Sequence, residues 1–143
     1  MACPREGERA PEVEGIQVGG SPTVVYFFPR AFTQGCTREL RRFVELLGEF
    51  EKYGARVFGV SADGPGTMEK FASKYGARPP LALVPDPERR IISAYCAGGG
   101  RGARRVTFVV GPDGRIAAVL EGLRRAEDHA DAALEVVRRL VGR

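Results

Sequence analysis

The sequence contains few of the residues on which common metal and cofactor sites depend. Its 143 residues include no Trp, one His and three Cys. His129 is far in sequence from every cysteine and no Cys-x-x-Cys spacing occurs, so we expect no metal site. A glycine-rich segment at 98–102 follows a predicted helix, the reverse of the order in phosphate-binding loops, so no cofactor is expected either. We expect His129 to lie on the surface.

Long apolar runs are also absent. The longest, Thr23 to Phe28 and Val106 to Val110, are much shorter than the ~20 residues needed to cross a bilayer. Residues 1–12 are charged and lack the apolar core of a signal peptide. These features predict no membrane partner and a cytoplasmic location.

Charge of one sign is not concentrated in the chain. Lys and Arg exceed Asp and Glu by 22 to 18, for a net charge of +4. No nucleic-acid motif accompanies the arginine pairs, which favours a solvated surface and no nucleic-acid partner. With 43% hydrophobic and 28% charged residues, the composition is that of a single globular domain over 1–143. We expect residues 1–12 to form a flexible tail.

Strand-like and helix-like segments alternate along the chain. Strands are predicted at Thr23 to Phe28, Arg56 to Ala62 and Leu81 to Val84, followed by a hairpin of Val106 to Val110 and Ile116 to Leu120 around Gly-Pro-Asp-Gly. Helices are predicted around Leu40 to Phe50, from Thr67 to Gly76, after an Asp86 cap and from about Ala126. The order predicts an α/β, thioredoxin-like fold, with a mixed central β-sheet flanked by helices on both faces.

Cys36 lies between the first predicted strand and the first long helix. If Thr33 is the N-cap, Cys36 falls within the first helical turn, where free backbone N–H groups and the positive helix end favour a thiolate. A buried cysteine that only packs behind the cap is an equally good interpretation of the spacing alone.

The residues around Cys36 resemble the active-site signature of peroxiredoxins. Pro-x-x-x-Thr-x-x-Cys at 29–36 follows a Val-Val-Tyr-Phe-Phe strand, and Val-Ser-Ala-Asp at 60–63 and Arg-Val-Thr-Phe at 105–108 follow in the family's order. The resemblance spans roughly Thr23 to Leu120. It is most similar to the peroxiredoxin Q subgroup, also called bacterioferritin comigratory protein.

This resemblance implies a thiol-dependent peroxidase that reduces hydrogen peroxide and alkyl hydroperoxides. Cys36 corresponds to the peroxidatic cysteine, whose thiolate becomes a sulfenic acid. Thr33 and Arg105 correspond to donors that stabilise the departing oxygen. Pro29 corresponds to the residue that shields the thiolate, and Glu39 to an acid that orients the arginine. Arg104 is the alternative to Arg105, since neighbouring side chains on a strand face opposite sides.

The resemblance leaves the recycling step open. Some relatives have a resolving cysteine five residues after the peroxidatic one, where this chain has Arg41. Cys96 corresponds to the alternative resolving position and implies an intramolecular Cys36–Cys96 disulfide. Cys3 acting between chains and direct reduction by an external thiol are the other routes.

The expected partners are a peroxide and a thioredoxin-like or other thiol reductant, and the chain is expected to be a monomer or homodimer. Two other functions compete with the peroxidase. A disulfide reductase normally requires Cys-x-x-Cys, whereas Cys36 is followed by Thr-Arg-Glu. A non-catalytic binding module with this fold is the second, and the joint presence of Pro29, Thr33, Cys36 and Arg105 argues against it.

Overall fold

The computed structural model describes residues 3–141, which form seven strands and five helices. The strands are β1 (Thr23–Phe27), β2 (Arg56–Ser61), β3 (Leu81–Pro85), β4 (Gly98–Gly99), β5 (Gly102–Ala103), β6 (Val106–Val110) and β7 (Ile116–Leu120). The helices are α1 (Gln34–Glu45), α2 (Leu47–Lys52), α3 (Pro65–Tyr75), α4 (Arg90–Ala94) and α5 (Asp128–Val141).

Five strands form one mixed sheet in the order β3-β2-β1-β6-β7. β1 pairs in parallel with β2, and β2 with β3, because a helical crossover separates each pair in the chain. β6 runs antiparallel to both β1 and β7. The predicted α/β fold with a mixed central sheet is therefore confirmed, and β4 and β5 add a separate two-stranded hairpin.

The central strands β1 and β6 are buried along their whole length because both faces of the sheet are covered. On one face, Tyr26 stacks on Phe43 of α1 with ring centroids 4.2 Å apart, and α2, α3 and α5 extend this cluster. On the other face, Phe27 packs against Tyr95 beside α4. The alternation of side chains along β1 thus supplies two cores from consecutive residues.

Three local expectations differ from the structure at helix ends. The predicted helix through Phe50 is divided at Leu46 into α1 and α2. α3 begins at Pro65 after Gly64, earlier than the predicted Thr67 cap, because proline suits the first helical position. Asp86 does not directly precede α4. Its carboxylate instead reaches forward and accepts hydrogen bonds from the backbone N–H of Arg90 and Ile92.

The N-terminal segment contacts the sheet edge. Where we expected a flexible tail, Gly7 N–H donates to the carbonyl of Ile116 at 2.8 Å, and Ile116 N–H donates back to Glu8 at 2.8 Å. Ala10 N–H donates to Gly114. Residues 1 and 2 of the expected tail lie outside the described residues. Within residues 3–141, no helix is long and apolar enough to span a membrane.

A glycine in β2 allows Tyr26 to lie across the neighbouring strand. A Cβ at Gly59 would lie 2.6 Å from Cζ of Tyr26 and 2.7 Å from Cδ2 of Leu83. Because overpacking of a core costs about 1–3 kcal/mol, we expect Gly59→Ala to lower the free energy of unfolding by that amount in urea denaturation.

Gly48 of α2 provides the matched control. It is exposed, and a Cβ there would meet nothing within 4 Å. Gly48→Ala should leave stability unchanged or raise it by up to about 1 kcal/mol, since alanine is the better helix former. Equal stability of the two variants would contradict the packing argument.

Candidate active site

The sheet register brings the two ends of the candidate site together. Phe27, the last residue of β1, pairs with Val106, the first residue of β6. Arg105 therefore lies beside the start of the loop that leaves β1 and leads through Pro29 to α1. The segments that contribute Cys36 and Arg105 are 69 residues apart in sequence and adjacent in space.

Cys36 is the third residue of α1, in its first turn. Thr33 is the N-cap, with extended backbone angles of φ −77° and ψ 157°. The Cys36 side chain is 1% exposed and has no disulfide partner among the described residues. Its sulfur lies 3.5 Å from Nη2 of Arg105, which donates a hydrogen bond to it. The sulfur thus lies beside two positive groups, the N-terminal end of α1 and the guanidinium of Arg105.

A buried glutamate fixes the orientation of this arginine. Nη1 of Arg105 donates to Oε1 of Glu39 at 2.5 Å, and Glu39 is fully buried one turn after Cys36. With one nitrogen held by Glu39, the other is directed at the sulfur. Glu39 therefore contacts the arginine that the resemblance pairs with it, and its orienting role stays a prediction. Arg104 instead donates to Glu121 at 2.5 Å and so faces away from the sulfur.

Burial raises the pKa of Glu39 from its ordinary 4.5 to about 8, although Arg105 acts in the opposite direction. Its Oε2 has no hydrogen-bond partner among residues 3–141, so Arg105 at Oε1 is the one donor in this part of the chain that opposes the effect of burial. Burial and the Arg105 contact thus act on the pKa of this carboxyl in opposite directions, and burial has the larger effect.

The Asp63 carboxylate binds the backbone of the loop before Cys36. Its Oδ2 accepts a hydrogen bond from Ala31 N–H at 2.8 Å and another from the Ser61 hydroxyl at 2.6 Å. In the sequence, Val-Ser-Ala-Asp at 60–63 contributes only to the resemblance, and it does not predict the contact of Asp63 with the loop. No local pattern signals it, because the contact spans 32 residues.

Thr33 and Phe32 lie at the entrance to the site. The Thr33 hydroxyl donates to the Arg30 carbonyl at 2.7 Å, which leaves its lone pairs free to accept from an O–H group. Phe32 has φ +69° and is 44% exposed, while its ring packs against Phe71. The loop before Cys36 therefore exposes one hydroxyl acceptor and one apolar ring.

The β4–β5 hairpin packs on the loop at Pro29. A Cβ at Gly102 would lie 2.7 Å from the carbonyl oxygen of Pro29, so only glycine permits this approach. Pro29 itself is exposed at the rim of the site. The glycine-rich segment at 98–102 is thus part of a short hairpin that joins the segment after Cys96 to the loop before Cys36.

Cys96 forms a disulfide with Cys3, with Cα atoms 5.5 Å apart. The structure therefore does not bring Cys96 and Cys36 into a bond, and the resolving role of Cys96 stays a prediction. A pairing across 93 residues has no sequence signal beyond the presence of the cysteines. Arg104 Nη1 donates to the Cys96 carbonyl, and Arg104 N–H donates to Ala97.

His129 is buried, so its expected place on the surface is wrong. It is 1% exposed, and its Nδ1 lies 2.8 Å from the hydroxyl of Thr107. Burial, with help from the charge of Arg105, lowers its pKa to about 4 and keeps the ring neutral at pH 7. The histidine faces inward because it begins the apolar face of α5. Residues 3–141 contain no cluster of potential metal ligands.

The sequence from Gly7 to Val119 matches the family model described as the AhpC/TSA family. The chain belongs to the AhpC/TSA family. Peroxiredoxin Bcp of Xanthomonas campestris is 33% identical over 123 residues, which cover 80% of this chain and 75% of the relative. The chloroplastic Peroxiredoxin Q of Populus jackii is 32% identical over 124 residues, or 85% of this chain and 57% of the relative. The chain is thus a peroxiredoxin of the Q/Bcp type.

Solved structures agree with this assignment. A structure of the Xanthomonas campestris bacterioferritin comigratory protein, described as a trapped intermediate/ligand complex, superposes with a TM-score of 0.77. It is 31% identical and covers 85% of this peroxiredoxin and 80% of the other chain. Both the thioredoxin-like architecture and the subgroup expected from the sequence are therefore confirmed.

The raised pKa of Glu39 predicts a specific pH dependence of stability. The folded state holds the Glu39 proton more tightly than the unfolded chain. This group therefore stabilises the fold fully below about pH 4.5, and the contribution is lost as the pH rises through about 8. Between pH 5.5 and 8.5 we expect the reduced protein to lose more stability than Glu39→Gln, whose amide cannot ionise. A tenfold change in proton affinity corresponds to about 1.4 kcal/mol, which thermal denaturation resolves.

Glu45→Gln is the control for this measurement, because Glu45 is exposed on the same helix. It should show the same pH dependence as the unmodified protein. Parallel stability profiles for the unmodified protein and Glu39→Gln would mean that Glu39 stays ionised throughout.

Proposed function

We propose that this peroxiredoxin reduces peroxides through the Cys36 thiolate. The observation that supports it most directly is the position of the Cys36 sulfur, in the first turn of α1 and 3.5 Å from Nη2 of Arg105. The thiolate attacks one peroxide oxygen, the S–O bond forms as the O–O bond breaks, and Cys36 becomes a sulfenic acid. The departing oxygen leaves as water or as an alcohol after it takes up a proton.

In this proposal the neighbouring residues act on the charge that moves during the step. Arg105 stabilises the thiolate and then the departing oxygen, because its second nitrogen can bridge both. The resemblance gives Thr33 as a donor, but its hydroxyl already donates to the Arg30 carbonyl. In this proposal its lone pairs therefore accept a hydrogen bond from the peroxide O–H and orient the peroxide. Glu39 is a positioning residue, which acts through Arg105. Pro29 supports the loop at the rim and limits access of water to the sulfur.

We further propose that Cys96 resolves the sulfenic acid. The Cys96 thiol attacks the Cys36 sulfur, water leaves, and a Cys36–Cys96 disulfide forms. Because the Cα atoms of a disulfide lie within about 7 Å, the first turn of α1 must unwind for this step. Reduction of the Cys36 sulfenic acid by an external thiol is the alternative, and the pairing of Cys96 with Cys3 is the observation that favours it.

The substrates in this proposal are hydrogen peroxide and alkyl hydroperoxides. The Xanthomonas campestris protein is described in terms of its alkyl peroxide reduction activity, and the exposed Phe32 ring beside Thr33 offers an apolar contact for an alkyl group. A thioredoxin-like or other thiol reductant completes the cycle. We place the protein in the cytoplasm, as a monomer or homodimer, where thiols are kept reduced.

Substitution of Cys36 and Arg105 tests the proposal. Cys36→Ser should abolish peroxide consumption because no other sulfur occupies the site. Arg105→Ala should slow the oxidation of Cys36 by roughly 100-fold or more, the usual effect of removing one charge-stabilising donor. Arg105→Lys should fall between, since a single ammonium group cannot hold Glu39 and the sulfur together. Stopped-flow mixing of reduced protein with hydrogen peroxide measures these rates.

Arg139→Ala is the matched control, because Arg139 is exposed near the end of α5 and contacts only Glu135 among charged groups of the described residues. Its rate should equal that of the unmodified protein. Normal turnover by Cys36→Ser would refute the assignment, and an unchanged rate for Arg105→Ala would assign the donor role to another residue.

A further inference from the structure

The three cysteines of the chain occupy two separate environments. Cys36 is a buried thiol, whereas Cys96 is half-buried and bonded to Cys3, which is exposed. The proposed peroxidase cycle requires Cys96 to bond to Cys36. Since one sulfur cannot hold both partners at once, Cys96 must exchange one for the other during turnover.

The two environments are joined through consecutive residues. Arg105 contacts the Cys36 sulfur, and Arg104 contacts the carbonyl oxygen of Cys96. The Cα atoms of neighbouring residues are about 3.8 Å apart, so the two arginines that make these contacts leave the backbone at adjacent points. The hairpin after Cys96 also packs on Pro29, in the loop before Cys36. The Cys36 and Cys96 segments are therefore linked through two consecutive arginines and through the β4–β5 hairpin.

Cys3 is held near this region by the backbone pairing that follows it. Gly7 and Glu8 are hydrogen-bonded to Ile116 on the edge of the sheet. Cys3 is four residues before Gly7, and an extended chain of that length reaches at most about 14 Å. When the Cys3–Cys96 disulfide is reduced, the Cys3 thiol consequently remains at a high local concentration near Cys96.

Exposure decides which sulfur a reductant can reach. A protein thiol must approach a disulfide sulfur closely in order to exchange with it. The Cys36 side chain is 1% exposed in its folded position, which blocks that approach. Cys3 lies at the surface. An oxidised Cys3–Cys96 pair therefore presents an accessible sulfur while Cys36 stays protected.

We propose that Cys3 is a second resolving thiol, which transfers the oxidation from Cys36 to an exposed Cys3–Cys96 disulfide. This proposal rests on the peroxidase function above. After the Cys36–Cys96 disulfide has formed, the Cys3 thiolate attacks the sulfur of Cys96. The Cys3–Cys96 bond forms, the Cys36–Cys96 bond breaks, and Cys36 leaves as a thiolate that returns to Arg105. The proton lost by Cys3 is balanced by the proton that the peroxide oxygens take up.

In the overall reaction, one peroxide oxidises the thiols of Cys3 and Cys96. The products are one disulfide, one water from the sulfenic acid step, and one alcohol or second water from the peroxide. Cys36 ends the sequence as a thiol in its original site. An external dithiol reduces the Cys3–Cys96 bond by attack at Cys3. The direction of transfer is favoured because the Cys36 leaving group is stabilised by Arg105 and the first turn of α1 can form again.

Stoichiometry distinguishes this relay from a simple two-cysteine cycle. Fully reduced protein is mixed with hydrogen peroxide in the absence of reductant, and the peroxide consumed is measured while free thiols are alkylated and mapped. We expect the unmodified chain to consume two equivalents, one to form Cys3–Cys96 and one to oxidise the regenerated Cys36. Cys3→Ser should consume one equivalent and stop at the Cys36–Cys96 disulfide.

Cys36→Ser is the control for a disulfide that forms without the peroxidatic cysteine. In the relay, this variant forms Cys3–Cys96 at least 100-fold more slowly than the unmodified chain under the same peroxide pulse. Circular dichroism checks that the variant is folded. Formation of Cys3–Cys96 at an unchanged rate in Cys36→Ser would overturn the relay and identify a disulfide that only ties down the N-terminal segment.

The relay is also overturned if the unmodified chain stops at Cys36–Cys96 with an alkylatable Cys3. Failure of the peroxidase function itself has a different signature, because Cys36 would then stay unmodified in every variant and no peroxide would be consumed. That result would remove both proposals.

Discussion

The buried contact between Glu39 and Arg105 is the interaction on which the geometry of the site depends. It joins α1 to the start of β6 and fixes the plane of the guanidinium, so that one nitrogen binds the carboxyl and the other contacts Cys36. Because Glu39 is fully buried, removal of Arg105 leaves its carboxyl without a partner, which costs much more than loss of a surface ion pair. The same contact therefore holds the helix to the sheet and places the cation at the sulfur.

Sheet topology makes this contact possible. A parallel β1–β2 pair needs a helical crossover, and that crossover carries Cys36 in its first turn. Because β6 pairs antiparallel with β1, the start of β6 lies beside the end of β1, and Arg105 directly precedes β6. Asp63, just after β2, supports the loop from the same edge of the sheet. The ends of three strands thus position the loop, the helix and the arginine around Cys36.

The alternation of side chains before β6 separates two redox environments. Arg105 is directed toward the buried Cys36, while Arg104 is directed toward Glu121 and the carbonyl of Cys96. A buried thiol suits reaction with a small peroxide, whereas an exposed sulfur suits exchange with a protein. The two proposed roles of the cysteines thus fall on opposite sides of one backbone segment.

The sequence by itself determined the elements whose signals are local. The apolar run from Thr23 predicted the first strand, and the spacing from Thr33 predicted Cys36 in a first helical turn. Gly76 marked the end of α3, where it has a left-handed φ of 76°. The resemblance to peroxiredoxins favoured Arg105 over its neighbour. The strand, the first helical turn and the helix end each depend on a few consecutive residues, so periodicity and capping preferences are sufficient to find them.

Only the tertiary structure decided the contacts between distant residues. The pairing of Cys3 with Cys96, the support of the loop by Asp63 and the burial of His129 against Thr107 join segments from 22 to 93 residues apart. Nothing in the local sequence around any of these residues encodes its partner. Such contacts are fixed by strand register and by the packing of helices on the sheet, which exist only when the whole chain has folded.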